Sequence, residues 1–200
     1  MIRSSKFFIF LIFSYLQLTP YHQALTEDAR PSLDIQAFKR QLKEKDLDVI
    51  RTLFFKAVKS DDSSDDDNDD DESLAQGKKK AELFLLTYPN DSTVLGYLAG
   101  FRILDGREAF WPLAKKEAVD DGLAQFDKLL SKDPNNVEVR FLRGGLSFHL
   151  PFFFGRHKLA VADLTSSSLA IANAAKGTFS EVFLVNSSHI LSETGVQPKK

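Results

Sequence analysis

Apolar residues recur along this chain at spacings of three, four and five, the period of one helical face. Pro31 and Ser32 open the first such pattern, which runs from Leu33 through Phe38, Leu42, Leu47, Ile50 and Phe54 to Val58, with a weak point at Lys45-Asp46. A second segment, capped by Ser73, carries Leu74, Gly77, Ala81 and Phe84 on one face and stops at Tyr88-Pro89, because proline cannot continue a helix. Ser92 caps a third, in which Gly96 and Gly100 lie one turn apart and open a face to close approach by another helix. Asp105-Gly106 is a turn signal.

Trp111-Pro112 begins a longer segment with Val119, Leu123, Phe126 and Leu130 in a 4-3-4 stripe, ended by Asp133-Pro134-Asn135-Asn136. Further helices are predicted from Val137 to about His149, from Arg156 to about Ala175 with Gly177 as the stop, and around Phe179, Phe183, Asn186 and Ile190. Phe152-Phe153-Phe154-Gly155 joins the first two of these as an apolar loop. No stretch alternates with period two for long enough to read as a strand, so the predicted class is all-α.

The N-terminus changes the picture of the compartment. Arg3 and Lys6 precede a mostly apolar run, Phe7 to Leu18. Its 12 residues are too few to cross a bilayer, which takes about 20. They suit the core of a secretory signal, with Ala24 as the cleavage position. The expected product is exported, periplasmic or secreted. A retained segment would instead tether the chain to a membrane.

Charge changes the picture a second time. The formal net charge is −2, from 26 basic and 28 acidic residues. Nine of those acids fall between Ser60 and Ser73, where there is no base. The rest of the chain holds 26 basic residues against 19 acidic, a balance of +7, or near +5 once residues 1–24 are removed. So dense a run repels itself and solvates, and is expected to be disordered. It can bind cations weakly, but it lacks the spaced ligands and turn glycine of an ordered calcium loop. The expected organisation is a signal at 1–24, a helical segment at 25–59, a disordered acidic low-complexity insertion at 60–73, a helical domain at 74–194 and a tail at 195–200.

Two helix-ending motifs are related: Leu-Thr-Tyr-Pro-Asn-Asp at 86–91 and Leu-Ser-Lys-Asp-Pro-Asn-Asn at 130–136. Their prolines, Pro89 and Pro134, are 45 residues apart, each has a glycine twelve positions before it (Gly77, Gly122), and each is followed by a helix with paired small residues (Ala99-Gly100, Gly144-Gly145). Over about residues 74–175 this resembles the tetratricopeptide repeat (TPR), in which a small residue of the second helix packs on small residues of the first and a proline ends the pair. The period departs from the usual 34, and residues 106–116 read as the lengthening insertion. Arg102 and Ser147 stand where the repeat favours an aromatic, and Phe84 and Leu129 where it favours alanine. The block from Asp133 to Leu164 resembles a pattern of exported bacterial TPR-like proteins of no assigned activity. The resemblance implies antiparallel helical hairpins stacked as a short solenoid, and a groove that binds a protein or peptide.

Candidate chemistry is sparse. With no cysteine, disulfides, thiolate metal sites and thiol catalysis are excluded. His149 and His157, eight apart, would need a third ligand such as Asp163 to hold zinc, and no HExxH spacing exists. There is neither a Gly-x-Ser-x-Gly elbow nor a phosphate-cradling glycine loop. The expectation is therefore no catalytic activity, no cofactor, no metal and no nucleic-acid partner. A small secreted hydrolase is the rival reading, with Ser, His and an acid converging from distant positions. Arg140 and Arg143, one turn apart, either face an anionic partner or pair with acids such as Glu138 or Asp163; the structural role is favoured. Phe152, Phe153 and Phe154 are either core, the favoured reading, or an exposed anchor. Together with Trp111, these five residues are the candidate partner-binding set.

Overall fold

The structure is a computed structural model that describes residues 34–59 and 67–196. The expected signal segment, Pro31, Ser32, Leu33 and the acidic run up to residue 66 lie outside the described residues. By its contacts the chain divides into two units, residues 1–42 and 43–200.

The described residues form seven α-helices and no strand: α1 Ile35–Lys59, α2 Asp67–Thr87, α3 Ser92–Glu108, α4 Pro112–Lys132, α5 Val137–Phe148, α6 His157–Asn173 and α7 Glu181–Thr194. A 3-10 turn, Phe152–Phe154, precedes α6. The all-α expectation holds.

Asp34 starts α1 by accepting hydrogen bonds from the Gln36 and Ala37 amides at 3.0 Å each. In the first unit Phe38 and Leu42 are exposed, contrary to the continuous stripe that the spacing predicts. In the second unit the stripe holds: Leu47, Ile50 and Phe54 are buried. Lys45 and Asp46 do not weaken the helix, because both face solvent.

The predicted start of α2 needs correction. The helix begins at Asp67, inside the acidic tract, and Ser73 is a buried interior residue rather than a cap. Likewise Gly106 does not turn the chain, and α3 continues to Glu108. A Cβ at Gly106 would lie 3.1 Å from the Lys115 carbonyl, so α4 passes close beside it.

Asp91, rather than Ser92, caps α3 through the Val94 amide at 3.0 Å. Asn136, the residue 45 positions later, caps α5 through the Val139 amide at 3.0 Å. Asn136 Nδ2 also donates to Ser92 Oγ at 2.9 Å, so the two related helix starts are bonded to each other. Ser180 caps α7, and α6 ends at Asn173, short of Gly177, which takes φ 85° in the following turn.

The most extensive helix contacts are α3 with α4 and α5 with α6. Glycine sets the first: a Cβ on Gly122 would meet Ile103 Cγ1 at 2.5 Å and the Ala99 carbonyl at 2.7 Å. On the other side of α3, Phe54 of α1 meets Tyr97 and Phe101 edge-on at ring centroid distances of 5.1 and 5.2 Å. These edge-to-face pairs form the centre of the core. Beside them lies a buried polar cluster. Arg51 of α1 donates to both carboxylate oxygens of Glu138 of α5, which also accepts from the Tyr97 hydroxyl.

Candidate functional site

α7 meets α5 through a Phe141–Phe183 edge contact with centroids 5.4 Å apart. One turn further along α5, position 145 is glycine, and a Cβ there would touch only Ile190 Cγ2, at 3.6 Å. The missing side chain leaves space, and a cavity of about 990 Å³ opens between α1, α3, α4, α5 and α7. Its size lies at the upper end of the range for small-molecule sites.

Each wall follows from the periodicity of its helix. Phe54, Phe55 and Val58 come from α1, and Ile103 and Leu104 from α3. Leu142 and Leu146 come from α5, Val119 from α4 and Ile190 from α7. Leu150, Phe153 and Phe154 close one side from the segment after α5.

The polar lining is basic. Among the described residues, Lys59, Arg107, Lys115 and Lys116 line the cavity with one acid, Glu193. Two of these cations sit at helix ends, where unpaired carbonyls attract positive charge. Arg107 Nη2 donates to the Ala57 carbonyl at 2.5 Å near the end of α1. Lys115 Nζ donates to the Arg107 carbonyl at 3.1 Å near the end of α3. Arg107 Nε is buried and has no hydrogen-bond partner. Lys116 pairs with Asp120 on its own helix. His149, His189 and Asn186 complete the polar groups, and His189 Nδ1 lies 3.3 Å from Glu193 Oε1. Among the described residues lining the cavity there is no serine, threonine or tyrosine.

The predicted site residues separate into two places. Phe153 and Phe154 line the cavity. Phe152 and Phe153 are 89% and 76% exposed, so the core reading fails for both; Phe154 alone packs against the core. The reason is local: Pro151 and the left-handed Gly155 bend the chain into one tight turn, and three consecutive side chains cannot all face inward. Trp111 is exposed, edge-on to Phe110 at 5.0 Å, and directly precedes Pro112 of the cavity wall.

The arginines lie elsewhere, along a shallower crevice of about 420 Å³ lined by α4, α5 and α6. Arg143 grips Asp163 through Nε at 2.7 Å and Nη2 at 3.0 Å, and Asp127 through Nη1 at 2.8 Å. Burial works against its charge, but the hydrogen bonds and charges of Asp163 and then Asp127 outweigh it and raise its pKa above the ordinary value. Arg143 therefore holds α5 to α6 and α4, the structural role the sequence favours. Arg140 donates to Ser166 Oγ at 2.8 Å and to the Pro134 carbonyl.

Asp163, the third zinc ligand considered for His149 and His157, is committed to Arg143. His157 lies against the Phe148 ring at 5.0 Å. Among the described residues no group of three or more His, Asp or Glu is placed to hold a metal, and no helix is long and apolar enough to cross a membrane.

Sequence reasoning missed Arg107 and Lys115, gave His189 no role, and read Gly145 with Gly144 as a close-packing pair rather than as the edge of a cavity. No motif marks them. The one available signal was Gly145, a second glycine beside Gly144 inside an apolar helical pattern. Comparison with known protein families, with curated proteins and with solved structures finds no match.

Proposed function

We propose that this chain is an exported binding module without a catalytic step, built of TPR-like hairpins, whose working face is the mouth of the 990 Å³ cavity. A protein or peptide partner docks there on exposed apolar side chains. The observation that carries the reading is that two exposed segments from distant parts of the chain border one cavity. Phe110, Trp111 and Leu113 are 84%, 69% and 77% exposed and adjoin Pro112 of its wall in sequence; the exposed Phe152 adjoins Phe153, which lines it. Exposed aromatic clusters of this kind mark interaction sites. The basic lining favours a partner whose apolar segment carries acidic residues.

The hairpins α3–α4 and α5–α6 support the TPR-like reading, as do the paired caps Asp91 and Asn136 and the contact of Gly122 with Ala99. The charged and apolar pattern of residues 3–18 supports export. A hydrolase is disfavoured because the described lining holds no hydroxyl nucleophile beside His149 or His189.

The test is crosslinked capture of the native protein from its producing cell, followed by mass spectrometry of bait and partners. A mature chain beginning near Leu25, with envelope partners lost in Trp111→Ser/Phe153→Ser, is the expected result. An intact Met1 with cytosolic partners would overturn it.

A further inference from the structure

We propose that the cavity holds a single-chain anionic amphiphile, a long-chain carboxylate or alkyl phosphate, with its chain among α1, α3, α5 and α7 and its head at the basic mouth. This rests on the reading of the chain as a binding module whose working face is this cavity, and it names what fills the interior.

The first argument is what the interior lacks. Phe54, Val58, Leu104, Val119, Leu142 and Ile190 offer no hydrogen bond, and the helix backbones around them bond internally. A peptide inserted there would bury its own amides and carbonyls unpaired, at about 1–3 kcal/mol each. An alkyl chain has no such groups. It gains with every methylene, so depth favours a long, unbroken apolar chain.

The second argument is the charge at the opening. Among the described lining residues, Lys59, Arg107, Lys115 and Lys116 stand against one acid, Glu193. Arg107 spends Nη2 on the Ala57 carbonyl, and its Nε is buried without a partner. A guanidinium carries five donors and is the side chain best suited to a carboxylate or phosphate. An anionic head beside Arg107 answers a charge for which the described residues show no acidic partner.

The third argument is Gly145. It is buried, helical and costly to helix propensity, yet a Cβ there would meet only ordinary contact with Ile190 at 3.6 Å. Its neighbour Gly144 differs, since a Cβ there would lie 3.0 Å from Asp163 Cβ. Packing therefore gives a reason for glycine at 144 and none at 145. At 145 its effect is to keep the cavity open.

The experiment loads the purified full chain with the neutral fluorescent probe N-phenyl-1-naphthylamine and displaces it with decanoate, dodecanoate, dodecyl phosphate and dodecan-1-ol. Probe binding that is lost in Gly145→Met establishes the cavity as the site. The expected result is displacement by dodecanoate or dodecyl phosphate at least tenfold tighter than by dodecanol, with dodecanoate about tenfold tighter than decanoate for its two extra methylenes. Arg107→Gln should remove the advantage of the anionic head. Because Arg107 also caps α1, the double variant Lys59→Gln/Lys116→Gln repeats the test on exposed side chains and should weaken dodecanoate several-fold while leaving dodecanol unchanged. Equal displacement by dodecanol and dodecanoate would overturn the anionic head. Bound probe that no single-chain amphiphile displaces would overturn this proposal and leave the binding cavity standing. A chain that binds no probe would overturn this proposal, while partner capture by the Trp111→Ser/Phe153→Ser variant decides the docking reading separately.

Discussion

Arg51 and Glu138, 87 residues apart in sequence, meet as a two-point ion pair, Nε to Oε1 at 2.7 Å and Nη2 to Oε2 at 3.0 Å. Both side chains are more than nine-tenths buried. Arg51 also donates Nη1 to Glu44 and Asp48 of its own helix, so its donors are largely used. Burial opposes the charge on Arg51, but the Glu138 hydrogen bond and charge outweigh it and hold its pKa above the ordinary value. The pair fixes the register of α1 against α5, and so the width of the cavity that both helices line.

Removing one partner leaves the other charged in the core. Glu138→Ala should cost about 3–5 kcal/mol, read as a fall in the urea midpoint at unchanged slope. The double variant Arg51→Met/Glu138→Leu removes both charges and should recover most of that loss. A single substitution costing under about 1 kcal/mol would show that the pair is water-exposed in solution.

Tyr97 gives the same cluster a pH signature. Its hydroxyl donates to Glu138 Oε1 at 2.6 Å, and burial first, then the Glu138 charge, pushes its pKa well above 10.0. The folded state therefore holds this proton more tightly than the unfolded chain does. The stabilisation is complete below pH 10 and is lost as the pH rises above it. Tyr97→Phe should lower stability at pH 7 by about 1–2 kcal/mol and flatten the alkaline decline. Parallel alkaline slopes in the two proteins would place the effect in the other tyrosines.

Glycine positions of similar appearance in the sequence should respond in opposite directions. Gly122→Ala drives a methyl into Ile103 and the Ala99 carbonyl and should cost about 1–3 kcal/mol. Gly145→Ala has room and should be neutral or stabilise by up to about 1 kcal/mol. Thermal unfolding of the two variants decides it. Equal losses would mean that α7 packs more tightly on α5 than Ile190 at 3.6 Å implies.

The helices were legible because their signals are local. Pro89 and Pro134 end them, and Leu47, Ile50 and Phe54 keep one face. The capping error at Ser92 arose because Asp91 and Ser92 stand side by side and only the backbone geometry chooses between them. The error at Ser73 arose because the helix starts six residues earlier, inside a run whose charge argued against structure. The pairing of Arg143 with Asp163 was anticipated, since both lie on neighbouring predicted helices. That Glu138 would turn to Arg51 was not. Glu138 sits two positions from Arg140 in sequence, and only the placement of α1 shows which arginine it meets. The cavity was illegible for the same reason. It is bounded by five helices, and its defining feature at position 145 is the absence of a side chain.

The three consecutive phenylalanines after Pro151 divide their work, and substitution separates the parts. Phe154 packs against the core, so Phe154→Ser should destabilise the fold by about 2–4 kcal/mol. Phe152 and Phe153 are largely in solvent, so Phe152→Ser/Phe153→Ser should change stability by no more than about 0.5 kcal/mol. If these two rings anchor a partner, the double variant folds normally, loses partner capture and self-associates less at high concentration. Thermal unfolding and capture, measured on the same preparations, separate the two effects. A double variant as unstable as Phe154→Ser would mean that the rings fold back onto the body in solution and form no docking surface.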